Sequence, residues 1–374
     1  MQKRLNYVDM VKGLCALMVV FYHLTAPCGF KTVLDHLTES ALIAFFFFSG
    51  YFHRPGKRTL GENLMTRVKA IMIPFLKYTL FFWAVGTIVL IATGKETFIE
   101  SLLCLRNFFA GSIWNRTIQN WFGWDYYSLG KRYMFLADFW FLIALMLASI
   151  VFLLIIDHVI RSKAKTLVTA GVLIAVTGVL RYFAIDLPYN LQIVPFWAAI
   201  LMLGAFAGNY KLFDIPKFSA AHEWVFGGIS LAAGIAIDLV KEPCRNVFRG
   251  TFGENEVVSM LLCLLSALLF IWGLGLICKR IECANIRVKE LSWLGSHSLL
   301  IYIYHMFIAW IISQITGFSL SYEDPSDPLT ITLSILLGVG CLVICILRYV
   351  VGDKITAAIK ANREGKKKAL DKAR

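Results

Sequence analysis

Residues 6–24 read NYVDMVKGLCALMVVFYHL, and this stretch indicates what kind of protein the chain forms. Between Lys12 and His23 lie ten residues without a charged side chain. A helix crosses a hydrocarbon core of about 30 Å with about 20 mostly apolar residues. The stretch therefore predicts a membrane-spanning helix that carries ionisable groups, with its apolar span over residues 11–29.

The rest of the chain repeats this apolar pattern. Hydrophobic residues make up 58% of the 374 and charged residues 16%, whereas an ordinary soluble protein is roughly 25% charged. Because the apolar runs are long and unbroken rather than alternating, we predict an all-α fold, a polytopic bundle of about ten transmembrane helices. The second run is short, so its helix can tilt, recruit Leu34 and Leu37, or be partly re-entrant. Nine further spans are predicted over 39–53, 73–93, 137–157, 166–184, 190–209, 222–240, 255–278, 293–317 and 328–352.

Lysine and arginine are distributed unevenly between the connections of these spans. With the N-terminus inside, the cytoplasmic segments carry 24 Lys and Arg residues and the outer connections carry 9. The positive-inside rule therefore predicts that both termini are cytoplasmic. The chain divides into a membrane domain over 1–352 and a basic tail over 353–374. Contact with anionic lipid explains the net charge of +13, and we expect no nucleic-acid partner.

Three ionisable residues in the first helix form the main candidate site. Asp9 and Lys12 are about one turn apart and can pair. Lys12 and His23 are eleven residues apart, which closes three turns to within roughly 20°, so both lie on one face, about 16 Å apart along the axis. Ionisable groups inside a membrane are functional candidates by default. The structural alternatives are a Lys12 that extends to the lipid headgroups and a His23 that makes a polar contact between helices.

Two aromatic stretches contain further polar residues. In FFFFSGYF, residues 45–52, Ser49 and the following glycine form a point of close approach in a bulky helix. In the ninth span, Ser298 and His305 are two turns apart and so lie near one face, with Tyr302 beside them. Ordinary helix packing and a buried polar contact are the structural alternatives for these residues.

The connections contribute weaker signals. Arg67 and Lys69 form a basic cluster before the third span, which anionic lipid or a cytosolic phosphate group could bind. The outer connection 94–134 is rich in Trp and Tyr, which suits either an interfacial belt or a sugar-binding surface. Cys104 and Cys244 lie in outer connections and could form a disulfide. The cysteine spacing predicts no metal site.

Together these elements resemble the acyltransferase family 3 membrane proteins, bacterial O-acyltransferases of cell-surface glycans, over nearly the whole chain. The most specific element is a basic residue followed, after ten residues, by histidine, here Lys12 and His23. The Ile-Pro-Phe sequence before the third span and the compact size resemble the branch of fucose 4-O-acetylase-like proteins. Three further stretches resemble family signatures: FFFFSGY (45–51), DFWFL (138–142) and LGSHSLLIYIYH (294–305).

The resemblance implies a membrane O-acyltransferase. Such an enzyme would move an acyl group, most simply acetyl, from cytosolic acyl-CoA to a hydroxyl of a cell-surface glycan or its lipid-linked precursor. Its implied partners are acyl-CoA, the glycan acceptor and the lipid bilayer, with acetyl-CoA as a donor substrate and no bound cofactor. A transporter or flippase of lipid-linked sugars is the alternative, since transporters also carry intramembrane polar residues.

In this interpretation each candidate residue has a role. His23 would be the general base on the sugar hydroxyl or a transient acyl carrier, and Asp9 would orient Lys12. The CoA phosphates would be held by three cationic residues, Lys12, Arg67 and Lys69. Substrate contacts would come from Ser49, Trp140, Tyr302 and His305.

Overall fold

The computed structural model describes residues 5–24, 30–109, 133–137, 139–214, 219–240, 252–286, 288–316, 332–333, 335–347, 350–352 and 354. Within these residues every regular element is helical. The helices are α1 Asn6–Leu24, α2 Phe30–Tyr51, α3 Leu60–Arg67, α4 Ile73–Ala92, α5 Phe98–Phe109, α6 Met134–Ala137, α7 Trp140–Val159, α8 Lys163–Tyr182, α9 Val194–Asn209, α10 Ala220–Val240, α11 Glu256–Cys283, α12 Lys289–Ser296, α13 Ser298–Thr316 and α14 Ile335–Gly352.

The helices confirm the predicted fold class, an all-α polytopic bundle. In the described part of the chain, nine helices are long and apolar enough to cross a membrane, and α2 adds a shorter apolar stretch over Leu37–Tyr51. All ten predicted spans overlap one of these ten helices. The α2 helix begins at Phe30 and so includes Leu34 and Leu37, as the short second span required.

Helix ends follow local sequence. Thr59 caps α3, where its hydroxyl accepts from the Glu62 N–H and the Glu62 carboxylate accepts from the Thr59 N–H, the reciprocal arrangement of a capping box. Ser162 and Asn255 cap α8 and α11 in the simpler way, by accepting one backbone N–H each. The α1 helix starts at Asn6, five residues before the predicted span, so Asp9 and Lys12 both lie within it.

A π-helical turn over Val68–Met72 joins α3 to α4, so Leu60–Ala92 forms one long helical element. Pro74 is a local cause of this turn, because proline has no N–H with which to continue the hydrogen bonds of an α-helix. The N–H of Ile73 instead donates to the carbonyl of Val68, five residues earlier. The turn begins directly after Arg67, and the change of helical period alters which face the following residues occupy.

Helix α1 lies inside the bundle and packs against α2, α11, α12 and α13. Its contact with α12 is made by Gly13 and Gly295, where an added Cβ would overlap the backbone of the other helix. Two tyrosine hydroxyls, of Tyr7 and Tyr51, are 2.8 Å apart and buried. The start of α1 therefore lies at the same end of the bundle as the end of α2.

Helices α2 and α9 meet through glycine. A Cβ on Gly204 would overlap the carbonyl oxygen of Phe47, and a Cβ on Gly208 would overlap that of Tyr51. On the other helix, a Cβ on Gly50 would overlap the carbonyl of Leu201. Small residues four apart allow two membrane helices to approach to backbone contact. This contact fixes the end of α2, where Ser49 lies.

Replacement of Gly204 by alanine tests this contact. We expect G204A to lower the free energy of unfolding by about 1–3 kcal/mol, the usual cost of overpacking, because the two helices must separate. G171A is the matched control, since no heavy atom of another part of the structure lies within 4 Å of a Cβ at that α8 position. Thermal unfolding of the purified proteins in detergent measures both effects. Equal melting temperatures for G204A and wild type would contradict the close contact.

Candidate functional site

A cavity of about 530 Å³ opens at the end of the bundle where α1 starts and α2 ends. Its walls come from α1, α2, the segment after α2, the α3–α4 element, α7 and α13. The volume is typical of a small-molecule site. The cavity is lined by Lys12, Leu42, Phe45, Phe48, Ser49, Phe52, His53, Arg54, Lys57, Arg58, Asn63, Thr66, Arg67, Ala70, Ile71, Phe141, Leu145, Leu153, Ser298, Leu299 and Tyr302.

The charged residues of this lining share one sign. Five of the lining residues are Lys or Arg, and none of these described lining residues is acidic: Lys12, Arg54, Lys57, Arg58 and Arg67. The remaining walls are mainly apolar and aromatic, including Phe45, Phe48 and Phe141. Cations near low-dielectric walls attract anions more strongly than the same cations in bulk water. The cavity therefore suits an anionic group attached to an apolar chain.

Arg67 is held in place by Ser49. One guanidinium nitrogen, Nη1, donates to the Ser49 Oγ at 2.7 Å, and Nη2 donates to the Ser49 carbonyl oxygen at 2.9 Å. Because Ser49 lies at the α2–α9 glycine contact, the guanidinium position is tied to the most closely packed part of the bundle. The predicted substrate residue Ser49 thus orients the predicted phosphate residue Arg67.

The inner end of the cavity is formed by α13. Ser298 lies at the start of this helix and Tyr302 one turn further along, and both line the cavity. The Tyr302 ring centroid is 5.1 Å from that of Phe141 and 5.9 Å from that of His305. His305 is fully buried. The lining residue Tyr302 thus lies next to a buried histidine that does not itself line the cavity.

The structure brings His305 together with His23. Their ring centroids are 5.3 Å apart, although 282 residues separate them in sequence. The His305 Nδ1 is 2.7 Å from the Tyr302 carbonyl oxygen. A carbonyl accepts only, so Nδ1 carries the proton, and in the neutral ring Nε2 is the basic nitrogen. Lys12 lines the cavity to which α13 also contributes, and the His23 ring lies beside His305 of the same helix.

The other predicted site residues lie outside the lining of the cavity. Asp9 is half-buried on α1, one turn before Lys12, where its carbonyl packs against Gly295. Lys69 is exposed and borders a shallow groove with Arg58 and Glu62. Trp140 lies next to the lining residue Phe141, with ring centroids 6.0 Å apart.

The sequence interpretation missed six polar residues of the cavity: Asn63 and Thr66 of α3, and His53, Arg54, Lys57 and Arg58. The last four belong to one short stretch. They follow α2 directly, in the stretch FHRPGKR, residues 52–58, which we call the rim segment. The signal was present, since four basic side chains within six residues follow an apolar span. Basic residues after an apolar span are normally explained by the positive-inside rule. Only the structure shows that these four line the cavity.

The rim segment is held by buried contacts. His53 is 8% exposed, and its Nε2 is 2.8 Å from Oδ1 of Asp157 on α7. Asn209 of α9 donates to the His53 carbonyl oxygen at 3.2 Å. Arg54 donates to the carbonyl oxygens of Tyr51 and His53, which caps the end of α2.

Two predictions fall largely outside the described residues. The connection 94–134 is described only over 94–109, where α5 lies, and at 133–134, so the tryptophans on which the belt and sugar-binding hypotheses rest are outside the described residues. Cys104 lies buried in α5, whereas Cys244 is outside the described residues, so the disulfide hypothesis stays a prediction.

A family model for the acyltransferase domain called acyltransferase 3 matches residues 5–350. The match covers all the helices that form the cavity and the histidine pair. No protein of curated function and no solved structure matches the chain. The family match therefore supplies the class of reaction, an acyl transfer.

A double-mutant cycle of S49A and R67Q tests the contact that positions Arg67. A hydrogen bond to a charged group contributes about 1.5–3 kcal/mol, so we expect a coupling free energy of about 1 kcal/mol or more between the two substitutions. Thermal or chemical unfolding of the wild type, the two single variants and the double variant gives this value. Strictly additive effects would contradict the contact.

Proposed function

The chain belongs to the acyltransferase 3 family, and from that premise we propose that it moves an acyl group, most simply acetyl, from cytosolic acyl-CoA to a hydroxyl of a cell-surface glycan or its lipid-linked precursor. The family match covers 346 of the 374 residues. As a member, the chain is a multi-pass membrane acyltransferase. The donor, the acyl group and the acceptor are the parts that we propose.

The observation that carries the proposal is the cavity itself. Its cationic end suits the phosphates of CoA, which Lys12 and Arg67 would bind by charge-assisted hydrogen bonds. Its aromatic walls suit the uncharged pantetheine arm, and its inner end at Tyr302 adjoins the two histidines. A donor bound in this direction carries its thioester from the charged opening toward the bases.

The proposed orientation agrees with this direction of entry. The 24 Lys and Arg residues of the segments assigned to the cytoplasm, against 9 outside, support a cavity that opens to the cytosol. The start of α1 and the end of α2 then face the compartment that contains acyl-CoA. The acceptor would approach the histidine pair from the other side of the membrane.

In the proposed reaction His23 is the base. The acceptor hydroxyl loses its proton to the imidazole of His23 while its oxygen attacks the thioester carbon. The C–S bond then breaks, and the proton passes from His23 to the leaving sulfur, so CoA–SH and an ester are the products. In the alternative relay, the His23 nitrogen carries the acyl group between donor and acceptor. His305 would orient His23 in either case, because its own tautomer is set by the Tyr302 carbonyl.

The remaining predicted residues support the donor and acceptor. Asp9, one turn from Lys12, would orient the ammonium group of that residue. Ser49 would act through Arg67, whose guanidinium it fixes. Tyr302 would contact the acyl-bearing end of the donor, and Trp140 would support the wall that Phe141 forms.

Substitution of His23 tests the proposed chemistry. We expect H23A to lower CoA release from radiolabelled acetyl-CoA by at least a hundredfold, since general acid–base catalysis contributes about 10²–10⁴-fold. The measurement uses purified protein in lipid with a glycan extract from membranes. H158A is the matched control, because His158 is exposed at the end of α7. Turnover retained in well-folded H23A would contradict the role of His23, and glycan transport without CoA release would contradict the proposed reaction.

Arg67 and Lys69 form a charge-matched test of donor binding. We expect R67Q to raise the KM for acetyl-CoA about tenfold, the equivalent of one charged hydrogen bond, with little change in kcat. K69Q removes the same charge two residues away from an exposed position outside the cavity, and we expect its KM to stay within about twofold of wild type. Equal effects of the two substitutions would show that the donor does not use this cavity.

A further inference from the structure

The cationic residues of the cavity form two sets at different depths. Lys12 and Arg67 are partly buried within the helices, whereas Lys57 and Arg58 are exposed on the rim segment. Phe52, also on the rim segment, is 45% exposed and lines the same cavity. An anion with a single phosphate group would need only one of these sets. Two separate cationic sets, with Phe52 beside the outer set, suit a ligand that has two separate phosphate groups and an aromatic ring.

From this division we propose that Phe52, Lys57 and Arg58 form a subsite for the adenosine 3′-phosphate end of the donor, an inference that rests on the proposed CoA donor. Lys57 and Arg58 would bind the 3′-phosphate, and the face of Phe52 would stack on the adenine. Lys12 and Arg67 then bind the pyrophosphate. The pantetheine arm runs inward between the aromatic walls.

The rim segment is built firmly enough to serve as a binding surface. At its start, His53 is bound to Asp157, and Arg54 donates to the carbonyl oxygen of Tyr51, the last residue of α2. Directly after its end, Thr59 caps α3. Lys57 and Arg58 therefore project from a short segment whose two flanks are anchored, and little order has to be gained when a ligand binds.

The charges near the subsite leave Lys57 and Arg58 available to a phosphate. Two carboxylates beside the rim segment accept other hydrogen bonds: Glu62, which also interacts electrostatically with Arg58, accepts from the N–H and the hydroxyl of Thr59, and Asp157 is bound to His53. The Arg58 Nη1 donates to Thr66 Oγ1 at 3.2 Å, which leaves its other donors for a ligand. Arg54, by contrast, uses its Nη1 on backbone carbonyls, so we assign it to structure rather than to binding.

Equilibrium binding of CoA and of 3′-dephospho-CoA to the full chain in lipid nanodiscs tests the subsite without any need for turnover. The two ligands differ only in the 3′-phosphate. We expect wild type to bind CoA at least about tenfold more tightly, since a charged hydrogen bond contributes that factor or more. The double variant K57Q/R58Q should bind the two ligands within about twofold of each other, with its affinity for 3′-dephospho-CoA unchanged.

Two further variants separate the subsite from general effects of charge. R161Q/K165Q removes one Arg and one Lys from exposed positions around the end of α7, at the same end of the bundle but outside the cavity, and should keep the preference for CoA. F52L should weaken both ligands by about the same factor, roughly fivefold, because stacking involves the adenine that both contain.

The outcomes for the subsite and for the proposed function can be told apart. Two results would overturn the subsite. One is a preference for CoA over 3′-dephospho-CoA that persists in K57Q/R58Q, and the other is a wild type that binds both ligands equally well. Wild type that binds neither ligand would overturn both proposals, because no CoA donor would then be bound. Binding with the expected preference but without acyl transfer would support the subsite and overturn only the donor chemistry.

Discussion

The structure depends on how a partly buried cation is held at one end of the helix bundle. A buried charge is costly unless it is paired or hydrogen-bonded, so such a cation needs an internal partner or a polar cavity. Arg67 has both, since Ser49 accepts two of its hydrogen bonds and the cavity surrounds the guanidinium. The contact can form only because the helix that carries Ser49 is fixed tightly in the bundle.

That fixation comes from glycine. Gly50, Gly204 and Gly208 bring α2 and α9 to backbone contact, where no larger side chain fits. The same contact lies in the last turn of α2, directly before the rim segment begins. His53 and Asn209 join the rim segment to α7 and α9. A close helix pair thus positions Arg67 of the α3–α4 element through Ser49, and it precedes the rim segment that carries Lys57 and Arg58.

The sequence predicted the fold class, and it placed Lys12 and His23 on one face of the first helix. Both predictions were possible because helical periodicity and apolar length are local properties. It also identified Ser49, Arg67 and Tyr302, all of which line the cavity. It could not show that His23 meets His305, because that contact depends on how two distant helices pack. Lys69 illustrates the same limit, since the π-helical turn that begins after Arg67 changes the helix face at a point that residue spacing alone does not reveal.

The distance along α1 between Lys12 and His23 separates the proposed phosphate-binding end of the site from the proposed reacting end. Lys12 lies at the charged opening, and His23 lies about 16 Å further along the helix axis, beyond the inner end of the cavity at Tyr302. A charged ligand group held at Lys12 therefore cannot itself reach the histidines. An uncharged extension of that group would run between the aromatic walls of Phe45, Phe48 and Phe141 toward Tyr302, which lies next to His305. This geometry disfavours small anions as productive ligands and favours a donor whose reactive group is carried at the end of a flexible arm.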